Sequence, residues 1–408
     1  MNVKLLSAAL AMGAASAVTA QAANDELINT LIQKGFLTQS EADAIQDDSY
    51  VVKPKGKTVT KLTISGRIQA QYDWLNAEQE EDGVADVSYA STNHFYLRRL
   101  FLGAKAELGN GWYGDIVMDF AGEDAAIDKA VLGWDYAPAA EFSIGYFKVP
   151  FGLEETSSSS KIKTLERSAA NRFFADDIDF SSRHTGIKVE GTPGDMGLYY
   201  AFMVANQTQG ESSRLGGTAE ASNNLGAWGR LQYKTKIQDA SVLFGSDLGF
   251  QPENTVVTNG GNESEILAYT IYASAKLDAL YGQVEFFGAE IEGDTASGYD
   301  SSPIGFAAQV AYKFDKLEPV YRYSYVDADG SSTGIDTDEL IRRAPSGVTA
   351  GSSEAEKLHS HYIGLNYYIQ GDDVKFMAGY EWAYTDEFGP TNITGTVHGL
   401  RARLQILF

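Results

Sequence analysis

The residues best suited to chemistry in this sequence are arginines and lysines on the polar side of alternating stretches. In residues 62–74, LTISGRIQAQYDW, Arg67 stands in a polar set that alternates with an apolar one. Arginine offers a planar fork that matches two oxygens of an oxyanion, and lysine offers a point charge. A row of such cations would hold small anions transiently. The polar sets of the other alternating segments contain further basic residues, which are Arg99, Lys105, Lys188, Arg230, Lys234, Lys276, Lys313, Arg322, Lys375, Arg401 and Arg403.

Other chemistries find little support in the sequence. The five histidines stand outside the GxSxG and HExxH patterns of hydrolases and metalloproteases. His359 and His361 offer two metal ligands, but their spacing implies no third. The chain has no cysteine, which excludes disulfides and thiolate sites. We therefore expect no enzyme activity, no metal and no cofactor.

The alternation itself is typical of β-strands whose two faces meet different solvents. A half-buried strand of a soluble protein usually has about 5–6 residues, whereas an outer-membrane strand needs roughly 9–11. The apolar set in residues 62–74 ends in Tyr72 and Trp74, residue types that sit at the lipid–water boundary. We therefore predict an all-β fold, a transmembrane antiparallel β-barrel with a polar interior.

About sixteen such segments follow one another, an even number that would leave an aqueous channel. Short connections alternate with long polar ones, as expected for periplasmic turns and outer loops. The last strand stops on Phe408, and a terminal aromatic resembles the assembly signal of outer-membrane barrels. The predicted strands are 62–74, 95–108, 112–121, 126–136, 141–149, 183–190, 197–205, 225–236, 240–250, 265–277, 280–291, 304–314, 317–327, 358–370, 374–385 and 394–408.

Composition agrees with a barrel. The 408 residues include 41 glycines, 23 tyrosines and 20 phenylalanines, which suits strands, turns and aromatic girdles. The net charge of -23 argues against nucleic acid as a partner. The acidic residues concentrate in predicted outer loops, which is ordinary beside an anionic leaflet of lipids and lipopolysaccharide. On the polar strand faces, basic residues outnumber acidic ones.

The amino-terminal residues have a different character. Residues 1–22 combine Lys4, an apolar run and Ala20-Gln21-Ala22, which predicts a secretory signal peptide. Residues 23–60 read as a short periplasmic helical segment and a linker, followed by the barrel in residues 61–408. The signal and the strands together indicate the bacterial outer membrane.

The third long connection, residues 150–182, is the candidate constriction. It is too long for a simple link between strands and carries Arg167 and Arg172 among its basic residues. We expect it to fold into the lumen. Fixed cations in a narrow polar pore attract anions and repel cations, and screening within about 8–10 Å makes only a constriction selective.

Four motifs resemble the phosphate-selective porins O and P. They are HFYLRRL at 94–100, residues 115–120, GYFKVPFGLEE at 145–155 and LERS at 165–168, and the similarity covers about residues 62–408. The resemblance implies a homotrimeric, sixteen-stranded outer-membrane porin for phosphate or other inorganic anions. It also implies a third loop folded inward and a path lined by arginine and lysine.

Site residues follow from the matching motifs. The resemblance assigns the anion path to Arg98, Arg99 and Lys148, with Arg167 on the loop and Asp128 as an acidic partner. Strict alternation would put Arg98 and Lys148 on the lipid side. Both therefore need a bulge or a break in their strands to reach the pore.

Three alternatives stay open. A general or weakly cation-preferring porin for small hydrophilic solutes is one, since Asp115 and Asp119 share a polar face. An outer-membrane enzyme is the second, and the absence of lipid or peptide hydrolysis would dispose of it. A structural or adhesive barrel with a plugged lumen is the third, and single-channel conductance decides it.

Overall fold

The computed structural model describes residues 51–52, 59–84, 86–89, 91–122, 124–207, 224–254, 264–293, 300–329, 335, 340–344, 355–386 and 392–408. The chain divides into two units, Met1–Tyr50 and Val51–Phe408, and the described residues belong to the second. The predicted signal peptide and the predicted helical segment up to residue 50 lie outside the described residues.

Sixteen long strands form one closed antiparallel sheet, as the alternation predicts. Each strand pairs with the next along the chain, and the last pairs with the first, where Leu400 lies opposite Trp74. The strands are β1 (Val59–Glu81), β2 (Thr92–Leu108), β3 (Trp112–Asp119), β4 (Ala126–Ala137), β5 (Ala140–Lys148), β6 (Arg183–Gly191), β7 (Leu198–Asn206), β8 (Leu225–Ile237), β9 (Ala240–Asn254), β10 (Ser264–Leu277), β11 (Leu280–Gly293), β12 (Ile304–Tyr312), β13 (Leu317–Asp327), β14 (Lys357–Gln370), β15 (Val374–Thr385) and β16 (Ile393–Leu407).

The first strand is longer than the sequence predicts. It runs on to Glu81 because the acidic stretch after Trp74 stays paired with β16, where Thr394 lies opposite Glu80. A two-residue strand, Val87–Ser88, pairs with the other side of this extension. The first long connection is therefore shorter than predicted, because backbone hydrogen bonds continue past the apolar part of the strand.

The two faces of the sheet differ as the alternation requires. On β16, Leu400 and Leu404 are 48% and 43% exposed, whereas Arg401 and Arg403 are each 1% exposed. Apolar side chains thus cover the outside of the barrel, and polar ones face its interior. Among the described residues, the helices are all too short or too polar to cross a membrane.

Residues 150–182 connect β5 to β6 and contain α1 (Leu153–Thr156), α2 (Ala169–Arg172) and one π-helical turn, Phe173–Asp177. Their aromatic side chains pack on interior residues of distant strands. The rings of Phe174 and Phe287 are 5.1 Å apart, and those of Phe180 and Trp228 are 5.9 Å apart. All four side chains are fully buried, so this cluster forms an apolar core against β8 and β11.

Polar contacts extend this attachment around the wall. Interior carboxylates accept hydrogen bonds from the segment's backbone, as Asp247 does from Gly152 N at 2.8 Å. Glu285 accepts in the same way from Leu153 N at 2.5 Å. On the far side, the ammonium of Lys375 donates to Ser160 O at 2.8 Å. Residues 150–182 therefore contact β9, β11 and β15 with their backbone.

Candidate functional site

A cavity of about 870 Å³ lies between strands β1–β8 and the segment 150–182. The described residues of its lining include eight arginines and three lysines against six carboxylates, so positive charge is in excess among them. The charged residues that line it are Arg67, Arg98, Arg99, Arg167, Arg172, Arg183, Arg230, Arg342, Lys129, Lys148, Lys188, Asp119, Asp128, Asp176, Glu155, Glu166 and Glu190.

The structure brings together eight of the nine residues that the sequence singles out. These are Arg67, Arg98, Arg99, Asp128, Lys148, Arg167, Arg172 and Arg230. The ninth, Arg322, is only 2% exposed and is absent from the described lining of this cavity. Its guanidinium lies behind the segment, 3.3 Å from a carboxylate oxygen of Glu154 and 3.3 Å from one of Glu381.

A β-bulge explains how both adjacent arginines of β2 reach the interior. Opposite β1, Gln69 pairs with Arg99 and Ala70 pairs with Leu97, which leaves Arg98 as the extra residue. The Arg98 guanidinium donates two hydrogen bonds of 2.8 Å to the Glu166 carboxylate. Arg99 donates to Gln69 Oε1 at 2.9 Å. The bulge required by the sequence argument is therefore present.

A second bulge lies on β4, where the sequence gives no signal for it. Val117 pairs with Lys129 and Met118 pairs with Ile127, so Asp128 is the extra residue. Asp128 forms an ion pair of 2.7 Å with Arg183. Two adjacent charged residues, Asp128 and Lys129, thus line the cavity together, as Arg98 and Arg99 do on β2.

The alternation of β5 breaks at Gly145, which brings Lys148 to the cavity. Gly145 has φ of 140°, a conformation that L-residues rarely adopt. Beyond it, Tyr146 and Phe147 are both buried, at 7% and 6% exposure. The ammonium of Lys148 then pairs with the Glu155 carboxylate.

Replacing Gly145 with alanine should destabilise the barrel by more than about 2 kcal/mol, because a positive φ strains a residue that has a Cβ. The added Cβ would also lie 2.1 Å from Ala130 O on the neighbouring strand. Thermal unfolding in detergent, followed by electrophoretic mobility, measures the loss. Gly282→Ala is the matched control, because no described atom lies within 4 Å of its Cβ. Equal melting of the two variants would contradict the strain argument.

Glu155 holds the turn of the segment together. It pairs with Lys148 and, at 3.1 Å, with Arg167, which also donates to the carbonyl oxygens of Glu154, Glu155 and Ser157. Burial works to raise the pKa of the Glu155 carboxyl, but the charges of Arg167 and Lys148 outweigh it and hold the pKa at about 2. Glu155 is therefore ionised at neutral pH, and both cations are partly neutralised.

Two cations of the lining have only neutral hydrogen-bond partners among the residues that the structure describes. The Arg67 guanidinium donates to Ser159 Oγ at 2.6 Å and to Ser158 Oγ at 3.2 Å. Arg99 is held by the amide oxygen of Gln69. Within the described parts of the chain, neither guanidinium has a carboxylate within ion-pair distance. Their charge is available to a passing anion.

Sequence reasoning missed three basic residues of the lining, Arg183, Lys129 and Arg342. Arg183 lies at the first position of a predicted strand, and Lys129 shares a side with apolar residues unless the bulge is known. Arg342 falls in a long connection that is acidic in sequence, so nothing local indicates that it contacts the pore.

The histidine pair lies away from the cavity. His359 and His361 accept or donate hydrogen bonds at Nδ1 with the hydroxyls of Tyr323 and Tyr321, at 2.8 and 2.9 Å. In the described residues, no group of three or more His, Cys, Asp or Glu side chains is arranged to hold a metal. These rings belong to an aromatic patch on the outer face of β13–β15.

Several solved porins share this fold at low sequence identity. An anion-selective porin from Comamonas acidovorans has a TM-score of 0.56 and 13% identity, and the match covers 85% of this chain and 99% of that chain. The trimer form of in-vitro folded OmpT from Vibrio cholerae has a TM-score of 0.53 and 13% identity, and the match covers 84% of this chain and 98% of that chain. The outer membrane channel DcaP of Acinetobacter baumannii has a TM-score of 0.53 and 12% identity, and the match covers 86% of this chain and 99% of that chain. At these identities the likeness shows the fold.

Sequence comparison goes further than the fold. No curated protein sequence matches the chain. The sequence model of the family described as phosphate-selective porin O and P, however, matches residues 62–408, which span the whole barrel from the first predicted strand to the last residue. The chain therefore belongs to the phosphate-selective porin O and P family, and it is a channel-forming porin of the bacterial outer membrane.

Proposed function

We propose that this porin conducts small inorganic anions, phosphate among them, in preference to cations. The observation that carries the proposal is the surplus of arginine and lysine around the cavity, where Arg67 and Arg99 have only neutral partners in the described part of the chain. A permeating anion would exchange part of its hydration for contacts with these guanidinium groups. Several modest sites in sequence would allow passage, whereas one tight site would block it.

We also propose that residues 150–182 act as an inward-folded third loop that narrows the channel. The aromatic cluster and the backbone contacts to β9, β11 and β15 support this role, because they anchor the segment to the interior wall at several strands. The remaining path would run along β1–β8. A narrow path brings each permeating ion within the screening length of the fixed charges, about 8 Å at physiological salt.

A homotrimer is part of the same proposal. It is supported by family membership and by the trimer form of the Vibrio cholerae protein with the same fold. Export to the outer membrane supports the assignment of residues 1–22 as a signal peptide, followed by a short periplasmic segment in residues 23–60. Amino-terminal sequencing of the mature protein would check the cleavage position.

The reversal potential across a salt gradient tests the main proposal. Purified protein in a planar bilayer, bathed in potassium chloride and then in potassium phosphate, should give potentials that show anion preference in both salts. The alternative, a general or weakly cation-preferring porin, draws support from the net charge of -23. A potential that shows cation preference in both salts would decide for that alternative.

A further inference from the structure

The long connection between β13 and β14 also contributes to the interior. Its residues 340–344 include Leu340 and Ile341, each 1% exposed. Both side chains belong to an apolar cluster with Leu75 of β1 and Val397 of β16. This short stretch therefore belongs to an apolar cluster with residues of β16 and β1, the second and third strands beyond β14 in the sheet.

Hydrogen bonds and a cation–π contact hold the chain at the carboxyl side of Arg342. Arg401 of β16 donates from Nη2 to the Arg342 carbonyl oxygen at 2.8 Å. The next residue, Arg343, places its guanidinium 3.8 Å from the centre of the Tyr96 ring and 3.1 Å from His94 Nε2, both on β2. These three strand residues thus position the backbone from which the Arg342 side chain extends.

The Arg342 side chain lines the same cavity as Arg98 and Arg172. Within the described residues its guanidinium has no hydrogen-bond acceptor and no carboxylate within ion-pair distance. Burial, followed by the charges of Arg98 and Arg172, lowers the pKa of Arg342 to about 10, so the group stays charged at neutral pH. After Arg67 and Arg99, it is a third cation of the lining that forms no ion pair with a carboxylate of the described residues.

Its position along the path differs from that of the other two. β2 begins at the rim of the long connections, and Arg98 lies closer to this rim than Phe101, the residue opposite Arg67. Arg342 joins the cavity from a connection at that rim, beside Arg98. An anion that approaches from the side of the long loops would therefore meet Arg342 before it reaches Arg67.

We propose that Arg342 is a specificity-determining residue of the channel. It is the first cation without an ion pair among the described residues that hydrated inorganic oxyanions meet when they arrive from the loop side. The inference rests on the proposed anion conduction. It adds the connection between β13 and β14 to the segment 150–182 as a second loop that lines the path. It is unexpected from composition, because the same connection carries Asp336, Asp338 and Glu339 just before the buried stretch.

The test compares Arg342→Gln, Arg342→Lys and Lys316→Gln with the wild type. Lys316 is exposed in a short turn and lies outside the described lining of the cavity, so it controls for the loss of one charge. Arg342→Gln should lower the anion-to-cation permeability ratio by about threefold at 0.1 M salt and by less at 1 M, because salt screens the charge. Arg342→Lys should keep most of the ratio, and Lys316→Gln should leave it unchanged.

The outcomes separate this inference from the proposed function. If the wild type prefers anions and Arg342→Gln matches Lys316→Gln, the role of Arg342 is refuted while anion conduction stands. If the wild type prefers cations, anion conduction fails and the inference fails with it. Because the Arg342 guanidinium has no partner among the described residues, the glutamine variant should fold, and heat-dependent electrophoretic mobility verifies that it does.

Discussion

Replacing Arg67 with glutamate should lower the anion-to-cation permeability ratio by about tenfold, since two units of charge change beside the path. At about 6 Å from a passing ion and an effective dielectric constant of about 40, such a change is worth roughly 3 kcal/mol before salt screening reduces it. Among the residues that the structure describes, Arg67 has only serine hydroxyls as hydrogen-bond partners, so none of their carboxylates forms an ion pair that would compensate the change. Reversal potentials in a salt gradient measure the effect.

Lys316→Glu is the matched control for this variant. It makes the same change in charge at an exposed turn outside the described lining of the cavity, and we expect a wild-type ratio from it. If both variants shift the ratio equally, the net charge of the protein governs selectivity, and the fixed charges of the cavity do not. That result would remove the main support for the proposed function.

Replacing Arg322 with methionine should destabilise the barrel and raise its conductance while the anion preference survives. Arg322 bridges Glu154 of the segment to Glu381 of β15 and donates to the Glu166 carbonyl oxygen at 2.7 Å. Breaking a buried ion pair by removing one partner costs about 3–5 kcal/mol. The value here should be near the lower limit, because Glu381 keeps its pair with Arg401.

Conductance and melting of Arg322→Met are measured on the same preparation. A loosened segment would widen the path, so single-channel conductance should rise. Lys61→Met is the control, because Lys61 and Glu107 form an exposed pair at 3.9 Å, and such pairs contribute about 0–1 kcal/mol. A loss of anion preference as large as that of Arg67→Glu would show that Arg322 contacts the ions and does not merely fasten the segment.

Much of the barrel follows from the sequence alone. All sixteen strands occur where the alternation predicts them, because side chains of a strand have a period of two and lipid and water select opposite faces. The alternation also shows that Arg98 can reach the interior only through a bulge, and the structure contains that bulge. The alternation likewise indicates that β5 must be interrupted for Lys148 to point inward, although the sequence does not identify Gly145 as the position of the interruption.

The pairing of the interior charges was decided by the tertiary structure. The alternation assigns a residue to one face of its strand, but it cannot identify the residues of other strands and loops that the side chain contacts. Arg67 and Arg322 are both assigned to the polar strand face and carry the same charge. Arg67 nevertheless contacts serines in the cavity, whereas Arg322 lies between two carboxylates. The role of each cation depends on where the segment 150–182 lies.

Arg342 shows the same limit most clearly. Its connection is acidic in sequence, and its approach to Arg98 depends on contacts with β2 and β16, which are far from it along the chain. The alternation of the sequence thus determined the strands, their faces and the excess of positive charge inside. Only folding decided which of those charges remain unpaired, because ion pairs form between residues that local pattern cannot bring together.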